Sequence, residues 1–165
     1  MPPASAGDVD EDAAVIVAFQ ALVPEHPRLL LLIAPRKPER FDVVAGKLAE
    51  AGVRFLRRSD LQGALQLPAA ILLDSIGELA GLFSLADVVF MGGTLAARGG
   101  HNILEPAFFA KPIICGPHME NFQEIAQEFR ARGALVEIGG PAGIAGAGDK
   151  LLVDRNRAAE LGRSA

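Results

Sequence analysis

The chain has 165 residues, half of them hydrophobic, which is enough to bury a core within one compact domain. Its 16 basic residues against 20 acidic ones leave a net charge of −4, so no basic field exists to hold a nucleic acid. The lone Cys115 excludes an internal disulfide and fits a reducing compartment, while apolar runs such as 29–34 fall far short of the ~20 residues of a membrane span.

Short apolar runs alternate with helical patterns along the chain, which is typical of a parallel sheet covered by helices. The predicted helices lie at about 11–22, 38–50, 76–85, 102–110, 119–131 and 150–161. The predicted strands lie at about 29–34, 53–56, 70–74, 88–91, 112–115 and 134–138. Acidic residues before the first helix predict an N-terminal cap, Gly52 and Gly133 predict helix ends, and the glycine-rich stretch 139–148 is expected to be loose.

Three turns that follow predicted strands are rich in polar groups, at 74–79, 92–105 and 116–121. In open α/β sheets ligands bind beyond the carboxyl ends of the strands, so these turns should gather at one edge. The 92–105 turn is dense in glycine and opens a helix whose free N–H groups favour an anion, such as a nucleotide phosphate. Neither GxGxxG after a strand nor GxxxxGK[ST] occurs, so a dinucleotide-binding or P-loop interpretation has no support. The N-terminus has no basic region before an apolar run, so we expect no signal peptide.

Three segments resemble the C-terminal half of 3-deoxy-D-manno-octulosonic acid (Kdo) transferases, the enzymes that add Kdo to lipid A. They read APRKPERF, LLDSIGELAGLFSLADVVFMGG and GGHNILEPAFFAKPIICGPHMENFQEIA. The resemblance covers about residues 11–138, and GGHNxLEP with a preceding DSIGEL is far more specific than an isolated glycine motif.

This resemblance implies a GT-B glycosyltransferase, in which two Rossmann-like domains face each other. The N-terminal domain takes the lipid acceptor and carries the catalytic base, and the C-terminal domain binds CMP-Kdo. Residues 11–165 would be that C-terminal nucleotide-sugar-binding domain in part, as a Rossmann-like parallel sheet sandwiched by helices, with residues 1–10 an irregular N-terminus.

The chain departs from the family pattern at its start. The family's C-terminal domain opens with a buried strand and a Gly-Ser-Thr loop, whereas residues 1–7 offer neither, although the acidic helix start is kept. A missing first strand would leave a sheet edge unpaired and remove one wall of the donor site. The N-terminal acceptor domain is also missing, so we expect no sugar transfer by this chain alone.

Phosphate and carboxylate contacts are expected from one arginine and one loop. Arg36 follows a strand end and could clamp either group through its planar fork, the alternative being a solvated loop arginine. Backbone N–H groups of Gly93, Thr94, Gly99 and Gly100 would cradle the phosphate. Lys37 and Arg40 are interpreted as surface charges.

The turn after the third strand is expected to read the pyrimidine. Ser75 and the backbone of Ile76 and Gly77 can hydrogen-bond a base edge, and Glu78 lies in the first helical turn. A plain helix cap at Asp74 or Ser75 is the alternative.

Ribose and sugar contacts are expected from the helix that follows the 92–105 turn. Asn102 offers an amide at the helix start, and Glu105, on the same face, could accept both ribose hydroxyls or serve only as a first-turn acid. His101 could donate to the phosphate or cap the helix. Asn121 is expected to reach the sugar, with a solvated helix start as the alternative. His101 and His118 lack metal-ligand spacing, so we expect no metal site.

The implied reaction is inverting transfer, in which an acceptor hydroxyl attacks the anomeric carbon of Kdo and CMP leaves. The donor is doubly anionic, so the site must supply positive charge or N–H donors, which Arg36, Arg98 and the loop amides could provide. No catalytic residue is assigned to this chain, and no cofactor is expected. The implied partners are CMP-Kdo and, through the missing domain, a lipid A precursor. We expect the chain to be cytoplasmic, without inserting into a membrane itself, and the full enzyme to lie at the cytoplasmic face of the inner membrane. Another GT-B enzyme using a different nucleotide sugar, or a non-catalytic fragment that keeps only the fold, remain the alternatives.

Overall fold

The computed structural model of the chain describes residues 10–35, 37–60, 65–74, 79–92, 94 and 103–164, with backbone alone at 80, 104, 105 and 164. The α-helices among these residues are α1 (Glu11–Leu22), α2 (Phe41–Glu50), α3 (Leu79–Leu82), α4 (Leu104–Phe108), α5 (Gln123–Ala131), α6 (Gly143–Val153) and α7 (Arg155–Ser164). The strands are β1 (Leu30–Ile33), β2 (Phe55–Arg57), β3 (Ala69–Leu72), β4 (Val89–Phe90), β5 (Ile113–Cys115) and β6 (Leu135–Glu137). Short 3-10 helices lie at Pro38–Arg40, Arg58–Asp60, Phe83–Leu85 and Glu120–Phe122.

The strands form two parallel three-stranded sheets, with orders β1-β3-β2 and β4-β5-β6. In the first sheet Ala70 lies between Leu31 and Phe55, and in the second Ile113 lies between Val89 and Leu135. All neighbours run in the same direction, so the carboxyl ends within each sheet share one edge. The sequence predicted parallel strands correctly, but it did not indicate that the described strands divide into two sheets.

Helices α1 and α2 cover one face of the first sheet. Ile16 of α1 and Leu48 of α2 pack with Ile33 and Leu72, and Leu48 and Leu72 are fully buried. Apolar side chains of these two helices thereby close the first core.

The second sheet is covered on both faces. Ile113 and Cys115 pack on one side with Phe129 of α5. Ile114, which points the other way, packs with Leu151 of α6 and Leu161 of α7. This two-sided burial explains why β5 is a continuous apolar run rather than an alternating one.

Helix ends follow the residues that predicted them. Asp10 caps α1, since its carboxylate accepts a hydrogen bond from the N–H of Ala13 at 3.1 Å. Gly52 and Gly133 take positive φ of 72° and 65° directly after α2 and α5, as the αL end of a helix requires. The predicted acidic cap and both glycine ends are confirmed.

The prediction that 139–148 is loose was wrong. Helix α6 begins at Gly143, and a side chain added at Gly148 would lie 3.5 Å from Leu22 of α1. The small residues that lower helix propensity also permit this close packing, which outweighs the propensity. The expected single last helix is two, because Asp154 leaves the helical conformation and its carboxylate accepts from the N–H of Arg157 in α7 at 3.0 Å.

No helix among the described residues is both long enough and apolar enough to cross a membrane.

Candidate functional site

The candidate site lies at the carboxyl ends of the strands, where the predicted polar turns begin. The connections after β3, β4 and β5 leave from these ends because the strands of each sheet are parallel. The start of α1 joins them, since the carboxylate of Glu11 accepts a hydrogen bond from the N–H of Thr94 beyond β4. The prediction that polar turns gather at one edge is confirmed for the β4 and β5 turns, which Thr94 joins directly.

Thr94 connects the chain segments that meet at this edge of the sheets. Its side chain is fully buried, and its hydroxyl donates to the carbonyl of Met91 at 2.7 Å while accepting from the N–H of Gly116 at 2.8 Å. Its carbonyl accepts from the N–H of His118 at 2.8 Å, and its own N–H donates to Glu11 Oε2 at 3.2 Å. Thr94 therefore ties the turn after β4 to the turn after β5 and to α1.

The acidic start of α1 is paired with two basic side chains of the α2 region. Lys47 Nζ lies 2.9 Å from Asp10 Oδ1 and 3.3 Å from Asp12 Oδ2, and the guanidinium of Arg40 also pairs with Asp12. Burial by itself would raise the pKa of Asp10, but hydrogen bonds from Lys47 and the N–H of Ala13 outweigh it and lower that pKa. Arg40, interpreted as a surface charge, is partly exposed, and its charge is balanced by Asp12. No spacing rule could have found a pair so distant in sequence.

Asp74, the second residue after β3, is held by Ser59, which follows β2. The N–H and the hydroxyl of Ser59 donate to its two carboxylate oxygens at 3.0 and 2.5 Å. The hydroxyl donation is the main cause of the lowered pKa of Asp74, so this carboxylate is ionised at neutral pH.

The turn after β5 carries a histidine and an acid in contact. Nδ1 of His118 lies 3.0 Å from Glu120 Oε1, and this hydrogen bond lowers the pKa of the Glu120 carboxyl group. Asn121, predicted as a sugar contact, is exposed in the adjoining 3-10 helix. The backbone of His118 is anchored by Thr94, so this turn has a fixed position relative to the β4 turn.

Most predicted ligand contacts lie outside the described residues. These are Arg36, Ser75, Ile76, Gly77, Glu78, Gly93, Gly99, Gly100, His101 and Asn102. Glu105 lies in the first turn of α4, as predicted, but only its backbone is described. The proposed roles of these residues therefore stay predictions.

Two cavities among the described residues lie away from this edge. One of about 410 Å³ is lined by Arg132, Gly133 and residues of α7, where the chain enters β6, and one of about 290 Å³ lies beside Val53, where the chain enters β2. Both are at the amino ends of strands. The candidate site lies at the opposite edge, because the polar turns after β4 and β5 converge there.

One group of described side chains has the geometry of a metal site. Glu25, His26 and Asp149 place one ligand atom each within 4.8 Å of one another. Glu25 and His26 follow the end of α1, and Asp149 lies in α6. His26 Nε2 is hydrogen-bonded to Asp149 Oδ1 at 2.8 Å. That bond joins the α1 end to α6 and accounts for the arrangement without an ion. Cys115 is fully buried, and burial raises the pKa of its thiol to about 12, which fits a core residue rather than a nucleophile.

Known proteins resemble this chain in sequence and structure. It is similar to the 3-deoxy-D-manno-octulosonic acid transferase of Haemophilus influenzae, with 42% identity over 141 residues that make up 86% of this chain and 32% of that protein. The transferase of the same name from Bordetella pertussis is 40% identical over 130 residues, 76% of this chain and 30% of that protein. No protein-family model matches the chain.

Among solved structures, the chain is similar to the C-terminal CMP-Kdo binding domain of WaaA from Acinetobacter baumannii. The sequence identity is 30% and the TM-score 0.88, over 94% of this chain and 81% of that one. The chain spans about a third of the length of the curated transferases it matches.

Proposed function

Because the chain belongs to the 3-deoxy-D-manno-octulosonic acid transferase family and corresponds to its C-terminal domain, we propose that it is the CMP-Kdo-binding half of a Kdo transferase. The observation that carries this proposal is the match of nearly the whole chain to a solved domain whose reported ligand is CMP-Kdo. The full enzyme would transfer Kdo to a lipid A precursor in lipopolysaccharide biosynthesis.

The charges of the donor require groups that bind anions, and the carboxyl-terminal edge of the sheets can supply them. CMP-Kdo carries a phosphate and a carboxylate, so it needs N–H donors or cations in a partly desolvated place. The turn that begins at Gly92 and leads into α4 offers glycine backbone N–H groups and a helix start. Thr94 fixes where this turn leaves β4, so we assign it a positioning role.

The roles of the ligand contacts follow from this placement. In the proposal Arg36 and the amides of Gly93, Gly99 and Gly100 hold the anionic groups, with His101 beside them. The turn 75–78 reads the cytosine. Asn102 and Glu105 hold the ribose, and Asn121 reaches toward the sugar.

In the proposed reaction, the acceptor hydroxyl oxygen forms a bond to the anomeric carbon of Kdo from the face opposite the phosphate. The bond from that carbon to the phosphate oxygen breaks, and CMP leaves with the electron pair. In this proposal the hydroxyl proton passes to a base on the acceptor-binding domain, and no described side chain at this edge is assigned the role of base. This chain's share is to hold the phosphate, stabilise its growing charge and orient the sugar. The lipid acceptor places the assembled enzyme, in this proposal, at the cytoplasmic face of the inner membrane.

Calorimetric titration of the purified chain with CMP, UMP and AMP tests donor binding. We expect CMP to bind more tightly than UMP and AMP, because the turn at 75–78 would read the pyrimidine edge. Equal binding of all three nucleotides, or none in a folded sample, would contradict the proposal.

A second experiment tests the division of labour. The chain is mixed with CMP-Kdo generated in situ and a lipid A precursor, with and without a separately expressed acceptor domain of a Kdo transferase. Product is expected only in the mixture, since GT-B chemistry takes place between two domains. Product from the chain alone would refute the half-enzyme proposal, and no product in either case would favour a non-catalytic fragment.

A further inference from the structure

Asp12, in the first turn of α1, contacts two basic side chains of the region that follows β1. Its Oδ2 pairs with the guanidinium of Arg40 and lies 3.3 Å from Lys47 Nζ. Arg40 ends the connection between β1 and α2, and Lys47 belongs to α2. All three side chains are at most 30% exposed, so salt screens these pairs less than pairs on an open surface.

Helix α1 gives this carboxylate a fixed support. Ile16 is buried in the core of the first sheet, where it packs with Ile33, and Ala18 packs with Ile144 of α6. Asp10 caps the helix immediately before its first turn. The first turn of α1 therefore cannot shift without disturbing buried contacts of the same helix.

The connection that ends at Arg40 includes Arg36, the arginine proposed to hold the anionic groups of the donor. Arg36 lies outside the described residues, but the chain is held on both sides of it. On one side the carbonyl of Ile33, the last residue of β1, accepts a hydrogen bond from the N–H of Leu73 at 2.9 Å. On the other side Arg40 is held by Asp12. Asp12 thus fixes the second end of this connection.

We propose that Asp12 is a positioning residue for donor binding, which holds Arg40 and thereby fixes the connection in which Arg36 meets the phosphate or carboxylate of the donor. This inference rests on the proposed function and adds to it a residue that acts without touching the ligand. A guanidinium binds such a group through paired hydrogen bonds of strict geometry, so a small shift of the backbone that carries it weakens the contact.

The charge of Asp12 by itself gives the opposite expectation. A carboxylate near an anionic ligand repels it, so removing the negative charge would strengthen CMP binding. The positioning role predicts weaker binding after the same change, because Arg40 loses the partner that holds the connection. The neighbouring Glu11 is expected to follow its charge, since its carboxylate already accepts from the N–H of Thr94. Two adjacent acids of one helix turn should therefore affect CMP binding in opposite directions.

Calorimetric titration of the full chain and of its Asp12→Asn variant, each with CMP and with cytidine, tests this role. We expect the variant to bind CMP about tenfold more weakly, a typical coupling between residues in contact, and cytidine about equally, because cytidine has no phosphate for Arg36 to hold. Asp12→Glu keeps the carboxylate and should recover part of the lost CMP affinity.

The matched control is Asp42→Asn, which removes the same charge from another ion pair of the first sheet and its helices. Asp42 Oδ1 lies 2.7 Å from Arg57 Nη2, and the side chain of Asp42 is 88% exposed. CMP affinity of this variant should stay within about twofold of the parent, because an exposed pair of this kind holds the chain weakly.

A double-mutant cycle tests whether Asp12 acts through Arg40. Arg40→Gln should also weaken CMP binding and spare cytidine binding. The protein that carries both Asp12→Asn and Arg40→Gln should bind CMP no more weakly than Arg40→Gln alone, since the two changes break one contact. If Asp12→Asn does not fold, Arg40→Gln takes its place in the comparison of CMP with cytidine.

Three results would overturn the inference. Equal or tighter CMP binding by Asp12→Asn would leave only the effect of its charge. Equal losses of CMP and cytidine affinity would mean a general structural role, and additive losses in the cycle would mean that Arg40 does not transmit the effect. Failure of the proposed function would be recognised separately, because the parent chain itself would then bind no CMP, and the inference would fall with it.

Discussion

The N–H of Thr94 donates to Oε2 of Glu11 across 3.2 Å, and this contact joins the first helix to the turn that the sequence marks as a phosphate site. The sequence predicted that the same N–H would bind phosphate. A carboxylate and a phosphate oxygen cannot both accept this one donor in the same geometry. If Thr94 serves the donor, the phosphate must displace Glu11.

Glu11→Gln should therefore strengthen binding of CMP by about 0.5–1.5 kcal/mol, because the variant removes a competing negative charge from the Thr94 N–H. Calorimetric titration measures the change. Glu25→Gln, beyond the other end of α1, is the matched control and should bind as the parent does. Unchanged or weaker binding by Glu11→Gln would show that Thr94 positions the turn without contacting phosphate.

Thr94→Val should destabilise the fold by about 1–3 kcal/mol, because it leaves the buried N–H of Gly116 without its acceptor while keeping the side-chain shape. Thr94→Ser keeps the hydroxyl and should cost less. Urea unfolding of the three proteins compares them. A larger loss for serine than for valine would mean that packing of the methyl group, and not the hydrogen bonds, holds this junction.

Gly162→Ala should lower the free energy of unfolding by about 1–3 kcal/mol, since the added methyl group would overlap the carbonyl of Ala110. Gly146→Ala is the matched control within α6, where nothing lies near the added carbon. That variant should gain about 0.5–1 kcal/mol from helix propensity. Thermal and chemical denaturation both report the difference, and a stabilised Gly162→Ala protein would contradict the close contact of α7 with Ala110.

Asp10 should make stability depend on pH in the acid range. Its folded pKa is lowered below the unfolded value of about 3.9. The stabilising contribution is therefore present above that value and is lost as the pH falls through the folded pKa. Asp10→Asn should give a flatter loss of unfolding free energy below about pH 4, while an asparagine still caps the helix.

The control for this pH profile is Glu50→Gln, an exposed position at the end of α2. The free energy of unfolding of this variant should change with pH as that of the parent does. Asp74, another carboxyl group with a lowered pKa, contributes to the acid sensitivity that remains. A parent and an Asp10→Asn protein with the same slope would mean that the Lys47 pair does not form in solution.

Glu105→Gln should weaken CMP binding by about 1.5–3 kcal/mol if its carboxylate accepts the ribose hydroxyls, the range for a hydrogen bond to a charged group. The variant should also discriminate less between CMP and its 2′-deoxy form, and the melting temperature should change little. Unchanged affinity with a lowered melting temperature would instead assign Glu105 to the helix start alone.

Sequence patterns predicted helices and strands well where local residues determine the structure. The helix predicted at 11–22 is observed over those residues, because Asp10 supplies the cap and the residues after it include alanine and leucine, which favour a helix. The prediction failed at 139–148, where the packing of Gly148 against Leu22 stabilises a helix that composition disfavours. It also did not indicate the partner of Arg40, since Asp12 is brought near only by folding.

By itself the sequence determined the class of fold, the direction of the strands and the edge where polar turns collect, because these follow from hydrophobic period, caps and the rule that ligands bind at strand ends. Motif strings also determined the family, which the comparisons confirm. Only the tertiary structure decided that Thr94 is buried and shared among three elements, that the acids of α1 are balanced by Arg40 and Lys47, and that the described strands form two three-stranded sheets. The reason is physical: a hydrogen bond, an ion pair or a free strand edge depends on which distant segments meet, and no local pattern encodes that meeting.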